Sequence, residues 1–271
     1  VSAAAASLLV LIPAYNEENR IGPVLVRYAQ YLRRHYPGPF RILVVLNGCV
    51  DDTLGVVRQA EAEYPEISHL EFAAPIGKGG ALIEGLAQAH TADLVGFVDA
   101  DGATSPHAFL DLVRRCDEAD CVIGSRWLPG AVLHQAQPRF RRLSSRLFHL
   151  LVQVLFGMNI RDTQCGAKVM RSAAVQQVYS ALRIADLAFD INLLYSLRRA
   201  GFRILEVPTE WTDQAGSKVR LGRRTLAVPL SLLRLRLIYS PFYRWLRPLR
   251  PLEAWIYRVL RAPPPRPGPK E

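Results

Sequence analysis

Short, nearly continuous apolar runs alternate with segments of helical period through the first half of the chain. SLLVLIPAY (7–15), RILVVLNG (41–48), HLEFAAP (69–75), DLVGFVDAD (93–101) and CVIGSR (121–126) read as strands. Residues 17–35, 51–64 and 77–91 carry the helical pattern between them. Asp51 or Asp52 suits the start of the second helix, and glycines open the third. Strands that are apolar on both faces, each followed by a helix, predict an α/β fold. The expected core is a Rossmann-like, mostly parallel sheet with helices on both sides.

The pattern changes in the second half. RRLSSRLFHLLVQVLFGM (141–158) predicts a long helix, basic at its start and apolar later. RDTQCGAKVMR (161–171) reads as a polar, turn-like stretch. DLAFDINLLYSLRRAG (186–201) predicts an amphipathic helix closed by Gly201, and FRILEVPTEW (202–211) a late strand. From 227 to 261, Leu and aromatic residues interleave with arginines. Pro229, Pro241, Pro248 and Pro251 break that stretch, so short amphipathic helices are expected. Residues 262–271 read as a flexible tail. No internal repeat is visible.

In open sheets of this kind, ligands sit beyond the carboxyl ends of the strands. That rule selects Pro13, Tyr15 and Glu17; Asn47 and Asp51; Gly77 and Lys78; Asp99 and Asp101; and Ser125 and Arg126. Five separate segments are predicted to meet at one crevice. In FVDADGATSP (97–106) the two aspartates would repel each other if left alone. A divalent cation, Mg²⁺ or Mn²⁺, held by one or two carboxylates and by phosphate oxygens, resolves the conflict. The competing reading is a helix N-cap, with a helix starting at Ser105 or Pro106. GKGGA (77–81) opens a helix where backbone N–H groups meet an anion, or else it is a glycine turn with a solvated lysine. It lacks the Walker spacing. The RFRRLSSR cluster (139–146) and Lys168 form either a cradle for an anionic acceptor or a solvated face.

Charge sharpens the picture at the C-terminus. The net charge is +10, but residues 218–271 hold 13 Lys/Arg against 2 Asp/Glu, and the first 217 hold 21 against 22. The excess belongs to the tail. Basic and aromatic interleaving suits a membrane surface or nucleic acid, and a plain packed helical hairpin is the third reading. The apolar character of LSLLRLRLIY and EAWIYRVL favours the membrane surface over nucleic acid. No run is long enough for a span, and the first residues lack signal-peptide character. Four scattered cysteines suit reduced thiols rather than a disulfide framework or a zinc site.

LIPAYNEENRI, VVLNGCVDDT, GKGGAL, VDADGAT and IGSR, in this order and spacing, resemble family-2 glycosyltransferases of GT-A fold. IRDTQCGAKVMR (160–171), AFDINLLY (188–195) and VPTEW followed by GSK (216–218) are similar to the dolichyl-phosphate β-glucosyltransferases and the polyprenyl-phosphate mannosyl- and glucosyltransferases. The resemblance covers about residues 8–220. It implies inverting transfer of a sugar from a nucleotide-sugar donor to a polyprenyl phosphate acceptor. By position, Pro13, Tyr15, Glu17, Asn47, Asp51 and Lys78 would line the donor site, and Asp99 and Asp101 would hold the metal on the diphosphate. Arg126 and Lys218 would neutralise phosphate charge. Arg139, Arg141, Arg142, Arg146 and Lys168 would face the acceptor, while Asp162, Gln164 and Asp190 would lie near the reaction centre.

Two departures refine the expectation. VVLNGC stands where the family has VVDDGS, so Asn47 offers one acceptor and one donor, which suits uracil over guanine. Ala103 stands where some mannosyl relatives have a polar residue, and the glucosyl-type relatives share DADGAT. Both favour UDP-glucose. The alternatives are GDP-mannose as donor, or a hydroxyl acceptor in a glycolipid or polysaccharide. Three parts are expected: a GT-A domain (1–221), a basic membrane-associating segment (222–261) and a tail (262–271). The expected setting is peripheral, on the cytoplasmic face of a membrane, without nucleic acid.

Overall fold

The computed structural model describes residues 6–133, 139–186, 188–212 and 223–240, with 139–147 and 223–230 described as backbone only. Seven strands form the central sheet. β1 (Leu8–Ala14), β2 (Phe40–Asn47), β3 (Ile67–Phe72), β4 (Leu94–Phe97), β5 (Cys121–Ser125), β7 (Lys168–Arg171) and β8 (Ile204–Pro208) stand in the order β3-β2-β1-β4-β7-β5-β8. All neighbours are parallel except β7, which runs antiparallel to both β4 and β5. A separate parallel pair joins β6 (Val132–Leu133) to β9 (Glu210–Trp211).

The absence of polar alternation in the strands is explained by the layering. In β1, Leu8, Val10 and Ile12 enter one core while Leu9 and Leu11 enter the other. The first core packs under α1 (Ile21–His35), α2 (Thr53–Glu63) and α4 (Pro106–Arg114). The second packs under α3 (Lys78–Leu86), α5 (Arg139–Phe156), α6 (Ser172–Val178), α7 (Phe189–Arg199) and the described end of α8 (Arg223–Ile238). Ser105 caps α4, its Oγ accepting from the Ala108 N–H with Pro106 at the first helical position.

Several boundaries differ from the sequence expectation. β4 stops at Phe97, which frees the D-x-D residues to leave the sheet. The third helix ends at Leu86 and continues as a 3₁₀ turn over Ala87–Thr91. The stretch expected to be turn-like contains β7, whose four residues are too few to show a period. α8 runs through Pro229, which was expected to break it. Its second half is also a core element, with Leu232 and Leu235 buried beside Val152 and Phe156 of α5. Leu233 and Leu237 of α8 and Leu150 and Val154 of α5 remain 47–74% exposed. Among the described residues, no helix is long and apolar enough to cross a membrane.

Candidate functional site

The carboxyl ends of β1, β2, β4 and β5 open on one edge of the sheet, as the strand-end rule requires. Because β7 is antiparallel, its first residue, Lys168, lies at that same edge, in register with Phe97 and Ile123. The segment before β7 therefore joins the site as well. α3 and α7 begin there too, bringing Lys78 and Asp190.

The loops after β1 and β2 hold each other. The Glu17 carboxylate takes both Arg20 Nε and Nη2 at 2.6 and 2.7 Å. Asp51 Oδ1 accepts from the Thr53 N–H and hydroxyl, and Thr53 Oγ1 accepts from the Glu17 N–H. Asn47 is 5% exposed, and its Oδ1 accepts from the Ile76 N–H at 2.6 Å. That bond orients the Asn47 amide and ties it to the turn that leads to Lys78, using one of the two acceptor positions of Oδ1. Pro13 and Tyr15 are half-buried on the same rim.

The glycines of GKGGA serve packing. Gly77 has φ +82°, the left-handed region that glycine favours. A Cβ at Gly79 would lie 2.6 Å from Phe189 Cβ, and the Gly80 N–H donates to the Ala185 carbonyl. The start of α3 is therefore seated on Ala185 and Phe189 instead of standing open to an anion at Gly80.

Charges alternate at the centre. Lys78 Nζ lies 2.5 Å from Asp99 Oδ1, and the two side chains are 31% and 26% exposed. Lys168 Nζ lies 2.6 Å from Asp190 Oδ1, donates also to the Cys165 carbonyl and sits over the Phe97 ring; it is wholly buried. Lys168 was expected on an exposed acceptor cradle with the arginines of α5. It is instead the floor of the site, because the strand that carries it is interior to the sheet. Asp99 lies so close to the backbone of Gly166 that a Cβ there would be 2.1 Å from Oδ2. Burial and the charge of Asp99 raise the pKa of the Asp101 carboxyl above its ordinary value. Burial opposes the Lys78 ammonium, but Asp99 and then Asp190 outweigh it and hold its pKa above the usual lysine range.

Arg126, after β5, donates through Nε and Nη2 to Asp162 at 2.7 and 2.9 Å and lies over the Trp211 ring. Burial works against its charge, and the hydrogen-bonded Asp162 more than compensates. Asp162 is 3% exposed, so it orients Arg126 and presents no free carboxylate to a ligand. Gln164 is half-buried nearby in sequence. Lys218 and the side chains of Arg139, Arg141, Arg142 and Arg146 fall outside the described residues. Sequence reasoning passed over Arg20, Gly166 and Trp211. Arg20 was signalled by its spacing of three from Glu17. The Thr212 N–H also ties the strand of Trp211 to the Ala103 carbonyl, just past the D-x-D pair.

Mg²⁺ or Mn²⁺ fits this site. Asp99 and Asp101 are two carboxylates at a half-open mouth, and burial together with the Asp99 charge raises the pKa of Asp101, a cost that a cation would relieve. Among the described residues no group of three or more His, Cys, Asp or Glu stands ready to hold a metal. Asp99 and Asp101 would supply two ligands, and phosphate oxygens and water would supply the others, the usual habit of Mg²⁺ beside a phosphate. The four cysteines are all free.

Residues 9–179 match the family described as glycosyl transferase family 2. A dolichyl-phosphate beta-glucosyltransferase of Trichomonas vaginalis is 32% identical over 81% of this chain and 68% of its own length. One from Drosophila melanogaster is 30% identical over 94% and 76%. Glycosyltransferase AglD of Haloferax volcanii is 32% identical over 86% of this chain, which spans only 37% of that protein. The glucosyl-3-phosphoglycerate synthase of Mycobacterium tuberculosis, solved with Mn²⁺, UDP and glucosyl-3-phosphoglycerate, has a TM-score of 0.64 at 20% identity. The match covers 89% of this chain and 83% of that one, a likeness of fold.

Proposed function

This chain belongs to glycosyl transferase family 2, and from that premise we propose that it transfers glucose from UDP-glucose to a polyprenyl phosphate of the dolichyl type, with inversion at the anomeric carbon. The observation that carries the reading is the pair Asp99 and Asp101 at the end of β4, flanked by Lys78 and Arg126 at one sheet edge. The dolichyl-phosphate beta-glucosyltransferases among its relatives support the sugar and the acceptor.

Asp99 and Asp101 would hold Mg²⁺ or Mn²⁺, which when bound supplies a Lewis acid for the departing diphosphate. Lys78 and Arg126 place positive charge where negative charge develops. Arg126 is pre-oriented by Asp162 and keeps Nη1 clear of that pair. A phosphate oxygen is already ionised at neutral pH, so the acceptor needs no strong base. Asp190 is consistent with that chemistry, since its carboxylate is buried and ion-paired with Lys168. Its role is to seat the lysines, and the choice of nucleoside falls to the rim around Tyr15, Asn47 and Asp51.

The protein works peripherally, at the cytoplasmic face of the membrane that holds the lipid acceptor. The basic C-terminal sequence and the exposed pairs Leu150/Val154 and Leu233/Leu237 support this. A test by deletion must begin after residue 240, because removal from 222 would strip Leu232 and Leu235 from the core. The deciding experiment is UDP release with purified protein, Mg²⁺ or Mn²⁺, UDP-glucose or GDP-mannose, and a short polyprenyl phosphate. Lipid-dependent release from UDP-glucose, lost in Asp101→Ala, is the expected result. Faster turnover of GDP-mannose overturns the donor assignment. UDP binding without turnover on any lipid phosphate overturns the acceptor assignment.

A further inference from the structure

The two lysine–aspartate pairs at the centre of the site differ in one respect. Lys168–Asp190 is sealed, with side chains 0% and 7% exposed, whereas Lys78–Asp99 stands at the mouth, about a quarter to a third exposed. The first is a fixture of the core. The second is a contact that solvent and ligands reach. Its cation also occupies one of the two carboxylates that suit a metal.

We propose that Lys78 is a resident counter-ion for the D-x-D pair, which leaves Asp99 for the donor diphosphate when a divalent cation takes its place, so that metal and nucleotide bind as one unit. The proposal rests on the donor-site reading above.

The charge balance argues for exchange. Asp99, Asp101 and Asp190 carry three negative charges, and Lys78 and Lys168 carry two positive ones, so the cluster is left at about −1 with every group ionised. A bare divalent cation entering beside a seated Lys78 brings that cluster to about +1 in a half-buried setting, which is unfavourable. A cation that arrives with a diphosphate brings its own compensation and offers the displaced ammonium a new anion. The mechanics suit this as well. The backbone of Lys78 is fixed, since Gly77 is in its left-handed turn, Gly79 packs against Phe189 and the Gly80 N–H is bonded to the Ala185 carbonyl. The four-carbon stem above that anchor is flexible and carries a compact charge. Asp99 has the shorter reach, and Gly166 closes off one side of its carboxylate. The ammonium moves and the carboxylate stays.

Linkage makes the consequence measurable. If Lys78 competes with metal in the empty site, nucleotide must strengthen metal binding, and metal must strengthen nucleotide binding by the same factor. The experiment titrates Mn²⁺ calorimetrically into the protein alone, and UDP into the protein with and without saturating Mn²⁺. Wild type, Lys78→Met and Lys78→Arg are compared. Wild type is expected to bind Mn²⁺ alone weakly, and to bind UDP more tightly with Mn²⁺ by a factor in the roughly 5–150-fold range of site coupling. Lys78→Met is expected to bind Mn²⁺ alone more tightly than wild type and to lose most of the coupling. Lys78→Arg keeps the charge, and with it the weak binary binding. Mn²⁺ binding to Lys78→Met no tighter than to wild type, with wild-type coupling intact in both variants, overturns the exchange alone. Absence of any Mn²⁺ effect on UDP binding in the wild type overturns the donor-site reading, and the exchange with it.

Discussion

Gly166→Ala is a single methyl group aimed at one carboxylate. The added Cβ would lie 2.1 Å from Asp99 Oδ2 and 2.7 Å from its Cγ. Ordinary contact begins near 3.4 Å, so the carboxylate must retreat by about 1.3 Å. Asp99 is short, and the atom that must move is its functional end. The fold can yield there cheaply, because the group that gives way is partly exposed and not part of the backbone. Stability should therefore change by only about 1 kcal/mol. Function should not escape so lightly. A misplacement of ~1 Å in a positioned group costs on the order of 10²-fold in rate. Turnover of UDP-glucose should fall by about that factor, and Mn²⁺-dependent UDP binding should weaken alongside it. Denaturant unfolding measures the first quantity, and UDP release with calorimetry the second. Wild-type turnover in a folded Gly166→Ala protein would refute the claim that Asp99 must stay where this structure puts it. A loss of several kcal/mol would refute the claim that the collision is confined to the site.

Asn47→Ala leaves the Ile76 N–H without its acceptor and should cost about 1–3 kcal/mol in denaturant unfolding, while Asn47→Asp, which restores an acceptor, should cost much less. Lys168→Met strands a buried Asp190 carboxylate and should destabilise by about 3–5 kcal/mol; adding Asp190→Asn should return most of that loss. For Asp101 the sign runs toward protonation. Its folded pKa is raised by burial and Asp99, so it loses charge, as pH falls, above the ordinary 3.8. Mn²⁺-dependent UDP affinity should fall on acidification before that point is reached, and an affinity that holds down to it would count against Asp101 as a ligand. The same shift means the ionised Asp101 costs stability above its folded pKa, so metal-free Asp101→Asn should melt higher than wild type at neutral pH.

The parallel half of the sheet was legible because its strands are buried on both faces and their apolar runs are unmistakable. The five site segments were legible for the same reason, since a strand end in such a sheet names its own edge. The exact roles at that edge were less visible. Asn47 offers the right atoms for a base, but only the fold shows that its Oδ1 also holds the Ile76 N–H. Lys168 reads as one more basic residue in a polar stretch. Its burial follows from a four-residue antiparallel strand too short to leave a period, and from a partner, Asp190, that lies 22 residues away. Gly166 carries no local signal, because the atom that forbids a side chain there comes from the far end of β4. The C-terminal arginines drew attention to charge, while the leucines between them decided where α8 packs.

The place of β7 in the sheet also sets an order of assembly. Among the described residues β5 pairs only with β7 and β8, so it has no strand partner until the chain has been made past residue 171. A growing chain can pair β1 to β4 early, but it must hold β5 and Arg126 in waiting for some forty residues. The same late strand brings Lys168, and Asp190 follows it, so the Asp99–Asp101 pair gains its floor only after that strand is made. Pairings this distant in sequence are slow to form. A fragment that stops before β7 therefore contains the Tyr15–Asp51 rim and the D-x-D motif but not the sheet that joins them to Arg126. Splitting this protein at its middle should yield two inactive pieces, not a donor-binding half and an acceptor-binding half.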